Sequence, residues 1–226
     1  MYTILCRKPR PAQIIKSFFK LALLLLLLTS FKASAQNWAD DDKTYGIGLR
    51  AEYDMPIGNL KFTYKAAPAA GISFYINEGT ATAEVGLGYR EYKPKLDTFY
   101  YLVNDNDYGT ATYSKFKTIM FYLGGAYNLS LSDAMRIYGG FNLGFYFTKF
   151  SSNTSDAFVN YTEDITERQG YIAPKLGFNF TLSDHLRLNV QGAYNLFAPL
   201  GKAEYNSRVG TFYYSVTTGA AIIYNF

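Results

Sequence analysis

The stretch YGIGLRAEYD, residues 45–54, alternates apolar and polar side chains with a period of two. One face carries Tyr45, Ile47, Leu49, Ala51 and Tyr53, and the other carries Gly46, Gly48, Arg50, Glu52 and Asp54. A β-strand sends successive side chains to opposite faces, so this stretch is predicted to be a strand with one apolar face and one polar face.

The same alternation recurs in seven more segments, at residues 69–77, 81–90, 118–128, 136–147, 171–180, 186–194 and 212–226. No charged residue falls on the apolar face of any segment. The polar faces hold the charged residues Arg50, Glu52, Glu84, Arg90, Arg136, Lys175 and Arg187. The chain is therefore predicted to contain eight amphipathic strands.

The composition of the two faces indicates which of them meets the surroundings. Apart from the few charges, the polar face is mostly Gly, Ser, Thr, Asn and Tyr, and aromatic residues such as Tyr45 and Tyr53 end several apolar faces. An apolar band between aromatic girdles is typical of a transmembrane barrel, where a charge in the lipid-facing band costs about 2–4 kcal/mol. Lipid also requires closure, because an open edge leaves backbone groups unpaired. We predict an all-β fold, a closed antiparallel up-and-down transmembrane β-barrel; a secreted β-sandwich or a soluble barrel is the alternative.

The lengths of the connections predict the orientation. Short connections lie at residues 77–80, 130–134 and 183–185, and long ones at 55–68, 93–115, 149–168 and 197–210. The stretches LSDAMRI (131–137) and LSDHLRL (182–188) repeat, as expected for successive hairpins. Outer-membrane barrels place short turns in the periplasm, so both termini are predicted to be periplasmic.

The second long connection is predicted to contain structure of its own. FYYLV (99–103) and ATYSKF (111–116) flank the polar turn NDND, which predicts a hairpin that continues beyond the membrane. Counting this hairpin as a separate pair would give ten strands. Pro174, on the apolar face of the sixth strand, has no N–H to donate, so we expect a bulge there or a strand that starts later.

Residues 1–35 are predicted to be a cleaved signal peptide. Basic residues precede the apolar run LALLLLLL (21–28), and Ala33-Ser34-Ala35 provides a small-residue cleavage site. The apolar run is well short of the roughly 20 residues of a spanning helix. Residues 36–44 are then a periplasmic lead-in and residues 45–226 the barrel domain.

Cleavage changes the charge and removes the thiol. The mature chain has 16 basic and 18 acidic residues, so the sequence pI of about 8.9 does not indicate a nucleic-acid partner. Cys6 lies in the leader, and His185 is the one histidine, in a predicted periplasmic turn. No catalytic residue, metal site or cofactor is predicted, and the protein is expected not to be an enzyme.

The last residues resemble a known assembly signal. Ile222, Tyr224 and the terminal Phe226 are similar to the C-terminal signal of outer-membrane barrel proteins, which in that family is read by the barrel-assembly machinery. The mature chain resembles the porin-like outer-membrane β-barrel family, in its small eight-stranded group. The resemblance implies a cell-envelope protein of a Gram-negative bacterium that contacts outer-membrane lipid.

Two functions are compatible with the inward charges. The interior of an eight-stranded barrel is just wide enough for side chains to fill, which predicts a paired, packed network. The favoured function is therefore a non-enzymatic barrel with a plugged polar interior. It would serve membrane integrity or surface contact through protruding hairpins, with contact residues Tyr100, Tyr101, Tyr108, Tyr113 and Phe158; no surface partner is identified. The alternative is a narrow porin-like diffusion channel that favours anions.

Overall fold

The computed structural model describes residues 43–104, 107–156, 160–200 and 212–226. The predicted signal peptide, most of the predicted lead-in, Cys6 and Phe158 lie outside the described residues. Within them the chain forms ten strands and one short helix. These are β1 Thr44–Ile57, α1 Leu60–Thr63, β2 Ala67–Glu78, β3 Ala81–Tyr92, β4 Phe99–Asn104, β5 Asp107–Tyr113, β6 Phe116–Ser130, β7 Met135–Ser155, β8 Asn160–Thr181, β9 Leu186–Pro199 and β10 Tyr213–Asn225.

Eight of the strands close into a barrel. The order around it is β1, β2, β3, β6, β7, β8, β9 and β10, and all neighbouring pairs are antiparallel. The circle is completed by β1 and β10, which pair from Gly46↔Asn225 to Ile57↔Tyr214. The predicted closed, up-and-down barrel of eight strands is confirmed.

The two ends of the barrel differ in the length of their connections. At one end, which we call the turn end, residues 79–80, 131–134 and 182–185 make short turns, and β1 begins and β10 ends there. At the other, the loop end, α1 lies between β1 and β2, and β4 and β5 lie between β3 and β6.

The hairpin of β4 and β5 extends the sheet beyond the barrel. The ladder between β6 and β7 ends at Lys117↔Lys149, but β7 continues to Ser155 with β8 on one side and β5 on the other. At about 3.3 Å per residue, this extension rises about 20 Å along the strand. The hairpin was correctly predicted, and with it the whole sheet has ten strands.

The outer surface of the barrel is apolar. Large residues in mid-strand are exposed there, among them Leu49 at 70%, Leu87, Phe121, Leu143, Leu176 and Ile222. Tyr45 and Tyr53 flank Leu49 on β1 and are also exposed. A continuous exposed band of this kind is far larger than the apolar patches of soluble monomers, and its aromatic borders fit a lipid-facing belt. No helix among the described residues is long and apolar enough to cross a membrane.

The prediction for Pro174 is wrong. It lies in the middle of β8, directly opposite Phe141 of β7, and β8 begins at Asn160, earlier than expected. The ladder between β8 and β9 omits Ala173 and Pro174 and resumes at Lys175↔Ala193 in the same register. The missing N–H is therefore accommodated by a local gap in one ladder, without an inserted residue.

Inside the barrel, glycines make room for large side chains on the neighbouring strand. Gly86 of β3 pairs with Tyr122 of β6, and a Cβ built on Gly86 would overlap the Tyr122 ring. Gly177 of β8 lies in the same way beside Tyr138 of β7. The narrow lumen thus accommodates these tyrosine rings because the residue that faces each of them has no side chain.

The belt predicts the effect of a charge on the outer face. Leu49→Arg should lower the free energy of unfolding in lipid vesicles by about 2–4 kcal/mol, because Leu49 lies midway between the girdle residues Tyr45 and Tyr53. The control is Leu131→Arg in an exposed turn, expected to cost no more than about 1 kcal/mol. Urea titration of both variants measures the difference, and equal effects would mean that the band faces water.

The interior packing predicts a difference between two glycines. Gly86→Ala should destabilise the folded barrel by about 1–3 kcal/mol, because the Tyr122 ring must leave its hydrogen-bonded position. Gly139→Ala is the control, since nothing lies within 4 Å of a Cβ there. It should be neutral, or stabilising by about 0.5–1 kcal/mol, as expected when alanine replaces a strand glycine. Thermal unfolding in detergent, followed by circular dichroism, compares the two.

Candidate functional site in the barrel lumen

Four of the predicted lumen charges lie together in mid-barrel. We call Arg50, Glu52, Glu84 and Lys175 the central ion cluster. The Nε of Arg50 lies 3.2 Å from Oε1 of Glu52, and its Nη1 lies 3.7 Å from Oε1 of Glu84. Lys175 donates to Oε2 of Glu84. All four side chains are buried, and their two positive and two negative charges cancel.

Tyr122 joins this cluster and was missed by the sequence reasoning. Its hydroxyl accepts from Arg50, donates to Glu84 and lies 2.7 Å from the Ser73 hydroxyl. The Arg50 guanidinium also lies 4.9 Å from the centre of the Tyr122 ring. A buried cation is stabilised by such a ring face as well as by carboxylates. The sequence signal was present, because Tyr122 occupies an inward position of its strand, but its partners are 72, 49 and 38 residues away.

Arg90 forms a separate site closer to the loop end. Its guanidinium pairs with Asp54, and both side chains are fully buried. The same guanidinium lies 4.5 Å from the ring centre of Tyr146, 5.0 Å from that of Phe197 and 5.2 Å from that of Tyr92. A charge in this position is held by one carboxylate and three aromatic faces.

Around Arg90 and above it, aromatic rings fill the lumen. This layer, which we call the aromatic plug, consists of Tyr64, Tyr92, Phe116, Tyr146, Phe150, Tyr171, Phe197 and Tyr213. The ring of Phe116 lies 5.3 Å from that of Tyr64 and 5.1 Å from that of Phe150, between ring centres. The interior was predicted to be polar, and over its loop-end half that prediction is wrong. The inward positions near the long loops carry aromatic residues, which is the sequence signal that would have shown it.

The connection between β1 and β2 closes the plug from above. Leu60 of α1 and Tyr64 turn inward and are fully buried, and Tyr64 pairs with Pro94 in an isolated bridge. Two backbone bonds, from Lys65 to Lys93 and from Lys95 to Thr63, fix this segment to the connection that follows β3. Burial raises the pKa of the Tyr64 hydroxyl, which therefore stays neutral.

Towards the turn end the lumen is lined by hydrogen-bonded amides. The amide ladder consists of Asn128, Asn179, Asn189 and Gln191, with Tyr138. The side-chain amide of Asn179 donates to Asn128 at 3.1 Å, and that of Asn189 donates to Asn179 at 2.8 Å. At its upper end Gln191 donates to Glu52 at 2.8 Å, so the ladder is joined to the central ion cluster. These amides thereby bond to one another on the inner face of the barrel.

The remaining two predicted lumen charges, Arg136 and Arg187, lie apart from the others near the turn end. Arg187 contacts Oδ1 of Asn77 at 3.4 and 3.5 Å. Among the described residues, neither arginine has a carboxylate within ion-pairing distance.

The residues of the predicted assembly signal lie on the outer face. Ile222, Tyr224 and Phe226 are all more than half exposed, and the Phe226 ring stacks on Tyr45. Their recognition by the assembly machinery stays a prediction. His185 lies in an exposed turn, stacks on Tyr224 and contacts the carbonyl of Asn225. No group of side chains in the described parts of the chain could hold a metal ion.

Comparisons with known proteins gave structural likenesses alone. No protein-family model matches the sequence, and no curated protein matches it. Neisserial surface protein A is 11% identical with a TM-score of 0.48, over 80% of this chain and 97% of that one. A major outer membrane protein of Thermus thermophilus is 13% identical with a TM-score of 0.47, over 82% and 100%. Ail, the attachment invasion locus protein of Yersinia pestis, is 12% identical with a TM-score of 0.38, over 81% and 97%.

The geometry of the chain itself decides its architecture. A closed ring of eight antiparallel strands, an apolar outer belt and a lumen filled by its own side chains occur together here. This is the architecture of the small outer-membrane β-barrels, to which the sequence was predicted to be similar.

Proposed function

We propose that the protein is a non-enzymatic barrel of the bacterial outer membrane, sealed inside, which serves the integrity of that membrane and presents an extracellular sheet for contact. In this orientation the turn end faces the periplasm and the loop end faces outwards. The short turns at one end and the long connections at the other support this orientation.

The filled lumen is the observation that carries the proposal. A solute entering from the loop end meets α1 and the aromatic plug, then the pair of Arg90 and Asp54, and then the central ion cluster. Each layer is buried and held by side chains from several strands. Opening it would expose charges whose partners are inside the barrel, which is costly.

The extension beyond the loop end supports the contact role. Tyr100, Leu102 and Tyr108 lie on the hairpin of β4 and β5 and are 75%, 56% and 70% exposed. Two other residues predicted for contact are placed differently. Tyr101 is half-buried over Gly109, and Tyr113 packs on Phe99 with 5.4 Å between ring centres.

The alternative function is a narrow diffusion channel. It is favoured by one observation, the small, partly open cavity of about 20 Å³ that reaches from the amide ladder to Glu84 and Lys175. In this function the aromatic plug would have to move to allow passage.

Conductance distinguishes the two functions. The purified barrel, inserted in planar bilayers, should give no steady single-channel openings, because three successive layers close the lumen. Insertion is verified by protease protection in vesicles, and a known porin added to the same bilayer shows that openings are detectable. Steady openings of constant size from the protein alone would overturn the sealed lumen.

A complementation experiment separates membrane integrity from surface contact. In a strain that lacks the protein, we expect detergent sensitivity and reduced binding of cells to surfaces. A triple variant, Tyr100→Ser with Leu102→Ser and Tyr108→Ser, should restore detergent resistance fully but binding poorly, because it changes only exposed residues of the extension.

The matched control for this experiment changes three exposed polar residues of the same extension, Thr112→Ser, Asn153→Ser and Thr162→Ser. It should restore both detergent resistance and binding, because it removes no exposed apolar or aromatic surface. If the variant at Tyr100, Leu102 and Tyr108 binds as well as the wild type, the extension has no contact role.

A further inference from the structure

The charges in the middle of the lumen balance one another, and those near the turn end do not. Glu52 and Glu84 neutralise Arg50 and Lys175, and Asp54 neutralises Arg90. Each of the carboxylates beside these cations is therefore already paired. Arg136 and Arg187 are left as the uncompensated cations of the turn-end half, as far as the described residues extend.

Arg187 is poorly satisfied for a side chain in its position. Its Nε is buried and has no hydrogen-bond partner in the described part of the chain. Its two Nη atoms share the single oxygen of Asn77 at 3.4 and 3.5 Å, which is at the limit of a hydrogen bond. A guanidinium stays charged at every physiological pH and presents its donors as a planar fork. Such a group is stable near a protein interior only when an anion or several acceptors face it.

A cavity lies beside this fork. It has a volume of about 20 Å³, is partly open, and is lined by Arg187 together with Tyr75, Thr82, Asn128, Asn179 and Asn189. Its deeper wall contains Glu84, but that carboxylate is already bound to Lys175 and Tyr122. The lining residues therefore offer a cationic fork but no unpaired carboxylate to neutralise it.

We propose that the mouth of this partly open cavity is a binding site for a small soluble oxyanion, a phosphate or carboxylate group, held by the guanidinium of Arg187. Two oxygens of such a group match the two Nη atoms of the fork, a bidentate geometry of arginine with carboxylate and phosphate. Arg136 contributes a second positive charge at the same end without a contact of its own. The strands of the barrel separate the site from lipid headgroups, so the anion comes from solution. The proposal does not depend on whether the lumen conducts.

Inorganic phosphate is the probe, titrated into the folded protein in detergent micelles at constant ionic strength and pH. We expect saturable binding at one site, seen as shifts of the backbone amide signals of Arg187, Asn77 and Asn189 in NMR spectra. Acetate in a parallel titration shows whether a carboxylate binds as well. Shifts that do not saturate, or that occur only at exposed residues, would overturn the proposal.

Variants test the role of the fork. Arg187→Gln should weaken phosphate binding about tenfold or more, as expected for the loss of charge-assisted hydrogen bonds. Arg187→Lys keeps the charge but loses the fork, so the phosphate affinity of this variant should lie between those of the wild type and Arg187→Gln. Lys43→Gln removes an exposed charge near the turn end and should leave binding unchanged.

Two results would show that the assignment is wrong. One is phosphate binding that is unaffected by Arg187→Gln, and the other is an equal loss in Lys43→Gln, which would indicate general attraction by surface charge. Folding of every variant is checked by its heat-modifiable migration in gels. If Arg187→Gln does not fold, the wild-type titration and Arg187→Lys still decide the question.

Discussion

The structure depends on one constraint, that a backbone in lipid must satisfy its own hydrogen bonds. The pairing of β1 with β10 meets it, because the first and last strands of the barrel would otherwise each present an unpaired edge to hydrocarbon. Closure then fixes the two faces of every strand. The outer face has to be apolar along the belt, and the polar and charged residues of the spanning segments are directed into the lumen.

Closure with eight strands also fixes the volume available inside. The lumen is about as wide as the side chains that point into it, so a large residue fits only beside a small one, as Tyr122 does beside Gly86. The same narrowness explains how a buried charge is held in the lumen. A buried charge needs partners within a few ångströms, and Arg90 obtains them from Asp54 and the faces of three rings, which surround it in place of water.

The strands, their faces and the hairpin of the extension could be predicted from the sequence, since a period of two is a local signal. The pairing of the lumen charges could not. Lys175 and Glu84 are 91 residues apart and Arg50 and Tyr122 are 72 apart, and their meeting depends on the register of strands that are not neighbours in the chain. The aromatic plug was missed because Tyr146 and Tyr171 were counted among the polar faces of their strands. Phe150 and Phe197 lie in stretches that were interpreted as connections. Pro174 was misjudged because a gap in a single ladder has no sequence signature.

The asymmetry between the two ends of the lumen follows from the connections. The loop of residues 58–66 is long enough to fold back and place Leu60 and Tyr64 over the loop end, where they complete a close-packed plug. The turns 79–80, 131–134 and 182–185 are too short to return into the barrel, so the turn-end half holds side chains of the strands, among them the amide ladder and Tyr75 with Ile223, and no loop closes it among the described residues. The cavity therefore lies at the turn end, and the arginines near it have no carboxylate partner among the residues described. A barrel built in this way is closed by a loop at one end, and at its turn end it has a small, partly open cavity with a positive charge.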